Sequence, residues 1–354
     1  MTSKVIILRA LPWGNDSRVE RWGKIYSKRI PLYGIWGEKK AGNIKSITNI
    51  IREPKNKFII GIGYIWFSIM SFFFVLRNAK KKDVVVFIDL ETILFAWVAA
   101  FIKGADIHYD IADPFYLVKP IPFKKFWKVL ETIFVNKVKV VTAPHIKRFK
   151  IYVDELKPNM QVVENVPIFD KKINYNSNST DNDKIIIGYF GILEAKYRGL
   201  ENLAKLVLDD ERFELLIAGS GPLYDFFLNL SKKCDRIIFL GKYDSQDLPE
   251  LVKDIDIYFG YYSENKTLHK IASPNKFYEH LFFRKPILTS TCIPHSEEIK
   301  KYNTGWCIQN DEDELLYWKN SLFLDKVDFE EYSIKCKKRW DEKYENYYKT
   351  LSFE

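Results

Sequence analysis

The segment Ser273–His280 (SPNKFYEH) holds the most specific chemistry in this sequence. Pro274 fits the first position of a helix with Ser273 as its N-cap, which leaves backbone N–H groups suited to a phosphate. Lys276 and Glu279 are three residues apart and share one helix face. Such a pair usually forms a surface salt bridge. A sugar nucleotide, however, requires a cation for its diphosphate and a carboxylate for its vicinal ribose hydroxyls.

Two glycine turns precede this segment in the second half of the chain. Gly191 ends one strand-like run and is followed by Lys196 and Arg198, while Gly219 and Ser220 end the next run. A glycine where a strand turns into a helix lets backbone N–H groups approach an anion, and the two cations could supply counter-charge. Glycines also end many such turns for conformational reasons alone.

The cysteines and histidines show no metal-ligand spacing, and no Asp-x-Asp directly follows one of the runs that we predict to be strands. We therefore predict neither a metal ion nor a cofactor. The cysteines are widely spaced without a CxxC pair, and the N-terminus lacks the pattern of a signal peptide. Both features favour the cytoplasm, with each cysteine a small buried residue.

Charge is distributed unevenly along the chain. Residues 1–170 contain 28 Lys and Arg against 15 Asp and Glu, whereas the remaining residues contain 27 against 31. The basic half favours an anionic partner, either nucleic acid or a membrane surface. Because no helix-turn-helix, RNP or zinc motif is present, we expect no nucleic acid.

Short β-branched runs alternate with helical stretches through most of the 354 residues. This rhythm predicts parallel sheets covered by helices on both faces, and the length predicts two such domains. We assign residues 1–168 to an N-terminal domain, 169–183 to a polar linker, 184–330 to a second domain and 331–354 to a C-terminal helix that packs back on the first. The predicted strands are Lys4–Leu8, Val84–Leu90, Ile107–Ile111, Val138–Thr142, Lys184–Phe190, Phe213–Ala218, Arg236–Leu240, Ile255–Phe259 and Pro286–Ser290.

Residues 58–76 form an uncharged apolar run of 19 residues with lysine and arginine on both sides. Its length and flanks would suit a helix that spans a bilayer. Spanning would place parts of one sheet in different compartments, so a helix within the N-terminal domain, either in its core or facing the membrane interface, is favoured.

Five motifs follow one another in the second half of the chain, namely GYFG…RGLENL, LLIAGSGP, IIFLGKY, SPNKFYEHLFFRKPILTS and TGWCI. In order and spacing they resemble the C-terminal domain of GT-B glycosyltransferases, specifically glycosyltransferase family 4. The resemblance covers nearly all of residues 184–310. It implies two Rossmann-like doubly wound domains, with the acceptor bound by the N-terminal domain, the nucleotide sugar by the C-terminal domain and the reaction in the cleft between them.

The resemblance assigns roles to individual residues around the same segment. Glu279 matches the second glutamate of the family's E-x7-E motif, which holds the ribose, whereas the first would fall at Ile271 and is absent. Lys276 matches the lysine that contacts the diphosphate in relatives with a Ser-Pro-x-Lys variant, so Ser273, Pro274 and Asn275 join the donor site.

Further donor contacts follow from the family's glycine turns. Gly191 stands at the glycine of the Gly-Arg-Leu motif, whose arginine is missing here. Arg198 matches the lysine of a Lys-Gly pair and is the second phosphate ligand. Tyr243 occupies the turn that usually meets the base, and Gly219 and Ser220 complete the donor-binding set.

The resemblance is weaker in the first half. Asn15–Glu20 (NDSRVE) resembles a family segment that opens the first helix, and Gly14 just before it would permit close approach of the donor or acceptor. HYDIAD resembles a strand end that carries a histidine in relatives, at a position that is Ala112 here. Asp110 and Asp113 remain at that edge, where either could accept a proton from an acceptor hydroxyl or form an Asx turn before Pro114.

The sequence thus predicts a hexosyltransferase that moves a sugar from a nucleotide diphosphate sugar to a hydroxyl of a lipid-linked or growing glycan, such as a bacterial capsule or lipopolysaccharide. Lys276, Asp110 and Asp113 are its candidate catalytic residues, and the resemblance implies retention of configuration. We expect a cytoplasmic protein on the inner face of the membrane, held there by its basic half. A sugar-nucleotide 2-epimerase of the same fold, or a catalytically silent subunit of a membrane glycosylation complex, are the alternatives.

Overall fold

A computed structural model describes residues 4–10, 17–26, 29–33, 57–119, 121–169, 184–309, 313–324 and 327–353. The chain divides into two compact units. The first contains Met1–Asn165 together with Tyr348–Glu354, and the second contains Val166–Tyr347. Gly14 and most of the predicted linker, residues 170–183, lie outside the described residues.

The first unit contains a six-stranded sheet in which every described pairing is parallel, with strand order β2-β1-β3-β4-β5-β6. The strands are β1 (Val5–Arg9), β2 (Arg29–Tyr33), β3 (Val84–Ile88), β4 (Asp106–Asp110), β5 (Val140–Ala143) and β6 (Met160–Val162). The helices are α1 (Ser17–Ile25), α2 (Lys57–Asn78), α3 (Leu90–Ile93), α4 (Ala96–Lys103), α5 (Phe115–Val118), α6 (Lys124–Lys137) and α7 (Ile146–Phe149).

The second unit also contains a six-stranded parallel sheet, in the order β12-β11-β10-β7-β8-β9. Its strands are β7 (Ile185–Ile192), β8 (Phe213–Ser220), β9 (Ile237–Phe239), β10 (Ile257–Gly260), β11 (Ile287–Ser290) and β12 (Gly305–Ile308). The α-helices are α8 (Leu200–Asp209), α9 (Tyr224–Ser231), α10 (Leu248–Val252), α11 (Asn275–Phe282), α12 (Ser296–Tyr302), α13 (Asp313–Leu324) and α14 (Phe329–Lys343), and two 3₁₀ helices cover Ser245–Asp247 and Thr267–Ile271. Helix α15 (Tyr347–Thr350) follows α14 and leads into the C-terminal segment of the first unit.

The nine strands predicted from sequence are all present, each displaced by at most two residues at either end. Three further strands were not predicted. Strand β2 contains Pro31, which removes a backbone donor and is typical of an edge strand. Strand β6 has only three residues, and one of them is Gln161. Strand β12 begins at Gly305, a residue that is depleted in strands.

Helices α2, α4 and α6 cover one face of the first sheet. Right-handed crossovers that step in one direction along a sheet place their helices on the same face, and the order β3-β4-β5 is such a progression. One core confirms this placement, since it joins Val75 of α2, Ala99 of α4 and Val135 of α6 to strand residues such as Val85. Val86 points to the opposite face, where it packs in a core with Trp22 of α1.

The apolar run at 58–76 lies within α2 and reaches the core through residues such as Phe67 and Val75. Within the part of the chain that the structure describes, no helix is long and apolar enough to cross a membrane.

A buried ion pair connects α1 to the middle of the first sheet. Arg18 donates two hydrogen bonds to Asp110, from Nη2 to Oδ1 at 2.6 Å and from Nε to Oδ2 at 2.7 Å. Trp22 donates to the same carboxylate at 2.8 Å and Thr142 at 2.7 Å. Although Asp110 is fully buried, Arg18 and these donors lower its pKa.

Replacement of Asp110 by Asn should lower the free energy of unfolding by about 3–5 kcal/mol, because Arg18 would keep its charge in a buried site without a counter-ion. Asp106→Asn on the same strand is the matched control, since Asp106 pairs with Lys139 at the exposed surface. We expect that change to cost at most about 1 kcal/mol. Urea unfolding at pH 7 measures both.

The pH dependence gives a second check on this ion pair. Because folding lowers the pKa of Asp110, its contribution is complete above the ordinary aspartate pKa of about 4 and is lost as the pH falls through the lower folded value. The difference in stability between the wild type and Asp110→Asn should therefore narrow below about pH 4. Equal losses for Asp110→Asn and Asp106→Asn would contradict the structural role.

Candidate functional site

Several predicted donor-site residues meet at the carboxyl ends of β7 and β10. These neighbouring strands mark the point where the order of the second sheet reverses, because the chain leaves β7 toward β8 on one side and β10 toward β11 on the other. Ligands of open parallel sheets bind at such switch points. The loop after β7 carries Arg198, and the helix after β10 carries Lys276 and Glu279.

Lys276 lies deepest in this group, with only 8% of its surface exposed. Its Nζ donates to the backbone oxygen of Phe190 near the end of β7 and lies 4.4 Å from the ring centroid of Tyr189. Two glycines flank its side chain. A Cβ at Gly191 would lie 3.4 Å from Nζ, and a Cβ at Gly260 would lie 3.0 Å from Cδ.

Burial lowers the pKa of Lys276 to about 8, an effect that nearby Arg198 increases and Glu279 opposes. Desolvation disfavours a charged ammonium, so the folded protein holds this cation at a cost. A bound anion would supply the missing counter-charge. A strongly perturbed group at a switch point is typical of a ligand site.

Glu279 lies one turn further along α11 and accepts a hydrogen bond from Tyr258 Oη at 2.8 Å. Tyr243 is close to it, since burial and then the charge of Glu279 raise the pKa of Tyr243. The structure therefore brings Lys276, Glu279 and Tyr243 together around β7 and β10.

Arg198 is fixed by the loop that carries it. Its Nε donates to Glu194 at 2.9 Å, and its guanidinium lies 4.3 Å above the ring centroid of Tyr262. Lys266 donates to the other oxygen of Glu194 at 3.1 Å, so one carboxylate links the loops that follow β7 and β10. Partial burial of Glu194 raises the pKa of its carboxyl, but Arg198 and Lys266 outweigh this effect and lower that pKa below its ordinary value.

Gly219 and Ser220 have a structural reason for their positions. Strand pairing places Gly219 opposite Gly191, and a Cβ at Gly219 would lie 1.8 Å from the Gly191 backbone oxygen. The glycine thus permits β7 and β8 to approach at their ends. Ser220 is exposed, and its carbonyl accepts from the backbone N–H of Leu193 at 3.0 Å.

The start of α11 differs from the prediction. Asn275 is the first helical residue, and Pro274 occupies the capping position with extended backbone, so the helix begins one residue later than expected. The predicted N-cap, Ser273, is buried, and its hydroxyl pairs with Tyr278 Oη at 2.8 Å. The reason is tertiary: Tyr278 also pairs with His295 at 3.0 Å, and this buried chain of polar groups holds Ser273.

The two aspartates of the first unit have different environments. The carboxylate of Asp110 is enclosed by Arg18, Trp22 and Thr142, a geometry that suits an internal ion pair better than a proton acceptor. Asp113 is the accessible one, with 45% of its side chain exposed and its carboxylate 3.4 Å from Arg148.

The carboxyl ends of the strands of the first sheet also carry an unusual aspartate that sequence reasoning missed. Asp89 follows β3 with φ 65° and ψ 163°, a conformation almost restricted to glycine. Its carboxylate pairs with Arg9 at the end of β1 and accepts from the Asp113 backbone N–H at 2.9 Å. These contacts hold Asp113 at the edge of the sheet.

Sequence reasoning also missed three tyrosines in or just after β7 and β10. Tyr189 contacts Lys276, Tyr258 contacts Glu279 and Tyr262 contacts Arg198. In the sequence, Tyr189 and Tyr258 occupy ordinary core positions within β7 and β10, and Tyr262 lies two residues after β10. Glu194 and Lys266 lie in loops 72 residues apart, and no local pattern connects them.

Residues 184–319 match the sequence family described as Glycosyl transferases group 1. Among curated proteins, no sequence matches the chain.

Several solved structures share the fold at low sequence identity. Anabaena Alr3699/HepE in complex with UDP superposes with a TM-score of 0.69 at 14% identity, covering 96% of this chain and 95% of that one. The N-terminal domain of Candida albicans trehalose-6-phosphate phosphatase gives 0.66 at 10%, covering 96% and 93%. The lipopolysaccharide outer core galactosyltransferase WaaB gives 0.63 at 15%, covering 95% of each chain.

The two Rossmann-like units thus form the GT-B fold that the sequence predicted. The match to the family described as Glycosyl transferases group 1 covers most of the second unit, and this unit is similar to that family. Membership in glycosyltransferase family 4 stays a prediction.

If Lys276 is held for a ligand, its replacement should stabilise the empty protein. We expect Lys276→Met to raise the free energy of unfolding at pH 7 by about 1–3 kcal/mol, because methionine fills a similar volume without a desolvated charge. The gain should shrink between about pH 8 and 10, where the native lysine loses its proton.

Urea unfolding over this pH range measures the effect, with the exposed Lys196→Met as a control expected to change stability by less than about 0.5 kcal/mol. A loss of stability in Lys276→Met would show that the lysine supports the fold rather than a ligand.

Proposed function

We propose that the protein transfers a sugar from a nucleoside diphosphate sugar to a hydroxyl of a lipid-linked or growing surface glycan. The observation that carries the proposal is the buried cation Lys276 at the switch point of the second sheet, with Glu279 one turn away on the same helix. A cation and a carboxylate in this arrangement fit the diphosphate and the ribose of a sugar nucleotide.

The chemistry asks the protein to stabilise a departing diphosphate. As the bond between the anomeric carbon and the phosphate oxygen breaks, negative charge grows on that oxygen. We propose that Lys276 and Arg198 face this charge, together with the backbone N–H groups at the start of α11. Both cations are held in place before any ligand arrives, by Phe190 for Lys276 and by Glu194 for Arg198. The proposal requires no metal ion or cofactor.

The acceptor hydroxyl must lose a proton as its oxygen bonds to the anomeric carbon. We propose that Asp113 of the first unit accepts this proton, because the carboxylate of Asp113 is exposed. The carboxylate of Asp110, in contrast, is buried in an ion pair with Arg18. Retention of configuration and a cytoplasmic protein peripherally bound to the membrane are parts of the same proposal.

Removal of the Glu279 carboxylate should weaken nucleotide binding about 10–100-fold, the typical worth of a hydrogen bond to a charged acceptor. Calorimetric titration of Glu279→Ala with UDP, GDP, ADP, CMP and dTDP, beside the wild type, tests this. Glu250→Ala is the matched control, since Glu250 is an exposed glutamate of the same unit that pairs with Lys253.

Selective binding of one diphosphate by the wild type, weakened in Glu279→Ala and kept in Glu250→Ala, would support the donor site and choose the sugar nucleotides for transfer assays. Unchanged affinity in Glu279→Ala would refute the assignment of Glu279. If none of the nucleotides binds to the wild type, the proposed activity fails and the chain is better explained as a silent subunit.

The affinity for the selected diphosphate should fall as the pH rises above about 8, because Lys276 must be protonated to pair with the anion. The decrease should approach tenfold per pH unit, with proton uptake on binding that calorimetry in two buffers detects. Lys276→Met should bind weakly with no such dependence. A flat wild-type profile between pH 7.5 and 9.5 would show that Lys276 does not contact the ligand.

A further inference from the structure

The outer surface of the helices α2, α4 and α6 is apolar, although these helices form the outer layer on one face of the first sheet. Their inner sides fill the core beneath them through residues such as Val75, Ala99 and Val135. A helix layer that covers a sheet in water normally presents polar residues outward. In this layer, aromatic and aliphatic side chains lie on both sides.

Helix α2 shows the pattern most clearly. Its exposed residues recur at helical spacing along one stripe and are apolar, namely Ile62, Ile65, Trp66, Ile69 and Phe73, with Arg77 at the end of the stripe. Ser68 and Ser71 lie on the buried side. A stripe of large apolar residues on the exposed side is the reverse of a helix adapted to water.

Helices α4 and α6 extend this surface. On α4, Phe101 is 73% exposed, and the partly exposed Trp97 lies one turn earlier on the same side. The Trp97 ring meets that of Phe134, on α6, at 6.3 Å, so the two helices are neighbours. Phe126 on α6 is 60% exposed, and Phe123 just before this helix is 80% exposed.

Basic residues border this apolar surface. The exposed cations on the three helices and the turn after α2 are Arg77, Lys80, Lys81, Lys82, Lys124, Lys125, Lys128 and Lys137. The three helices contain one acidic residue, Glu131, which is buried and accepts hydrogen bonds from Tyr109 and Tyr152. Exposed cations thus lie on the same helices as the exposed aromatic rings.

We propose that the outer surface of the α2, α4 and α6 layer binds an anionic phospholipid bilayer. Apolar side chains enter the boundary between headgroups and acyl chains, while the surrounding lysines contact anionic headgroups. Tryptophan suits this boundary because its ring is apolar and its N–H is polar. The inference deepens the proposed function by naming the surface that carries the protein to a lipid-linked acceptor, and it rests on that function only for this purpose.

Charge also decides against a second copy as the occupant. A symmetric dimer through this surface would bring the same basic borders together, and like charges across an interface oppose association. An anionic lipid surface, in contrast, satisfies the cations and the apolar residues at the same time.

Flotation of the full chain with vesicles tests the proposal. We expect binding to vesicles that contain phosphatidylglycerol in phosphatidylcholine at low salt, with affinity that decreases as salt rises, because screening weakens the electrostatic part. Phe101→Ser combined with Phe126→Ser should lower partitioning at least tenfold. Lys124→Ala, Lys125→Ala and Lys128→Ala together should lower it roughly 100-fold, at about fivefold for each lysine.

Matched changes in the second unit serve as controls. Ile334→Ser removes another exposed apolar residue, and Lys232→Ala with Lys233→Ala removes exposed lysines. These variants should float as the wild type does. Titration with UDP, or with whichever nucleotide the wild type selects, follows each variant, so that loss of lipid binding is separated from loss of the fold or of the donor site.

Three outcomes would overturn the proposal: no flotation of the wild type with phosphatidylglycerol vesicles at low salt, equal losses in the surface variants and the controls, or self-association that Phe101→Ser and Phe126→Ser abolish while lipid binding persists. Lipid binding can fail while nucleotide binding remains, so failure of this surface is distinguishable from failure of the proposed transferase activity.

Discussion

The burial of one ammonium group, that of Lys276, constrains the residues around the carboxyl edge of the second sheet. A desolvated cation needs a nearby carbonyl and electron-rich rings, which Phe190 and Tyr189 provide, and it needs room, which Gly191 provides. The strands bring these residues together because the chain leaves β7 and β10 in opposite directions. An anion bound beside Lys276 would offset the energetic cost of the buried charge, which is why we propose a negatively charged ligand for this site.

The two units use the edges of their parallel sheets differently. At the edge of the second, Glu194 links the loops after β7 and β10 and holds Arg198 ready beside Lys276. At the carboxyl ends of the strands of the first sheet, Asp110 forms an ion pair with Arg18. Asp113, whose backbone N–H donates to the strained residue Asp89, keeps an accessible carboxylate. The same topology thus yields a cationic site in one unit and a site with an exposed carboxylate in the other.

Helix α2 illustrates how a sequence pattern can be recognised while its meaning stays open. From sequence alone, the lysine-flanked run at 58–76 suits a core helix and an interfacial helix equally well, and a spanning helix less well because spanning would divide one sheet between compartments. In the structure, one side of the helix enters the core through Phe67 and Val75, while its other side exposes residues such as Trp66. Phe101, on the neighbouring helix α4, shows that the exposure of large apolar side chains continues beyond the segment recognised in the sequence.

The sequence by itself determined nine of the twelve described strands, the two-unit parallel architecture and the placement of Lys276, Glu279 and Arg198 after strands of the second sheet. Buried parallel strands are continuous β-branched runs, and glycine turns mark their ends, so both signals are local. Only the tertiary structure decided what each polar group contacts. Glu194 and Lys266 meet from loops far apart in the chain, and Asp110 proved to be an internal ion-pair partner because Arg18 reaches it from another element. Local patterns cannot encode such pairings, since they depend on the order in which strands are placed in a sheet.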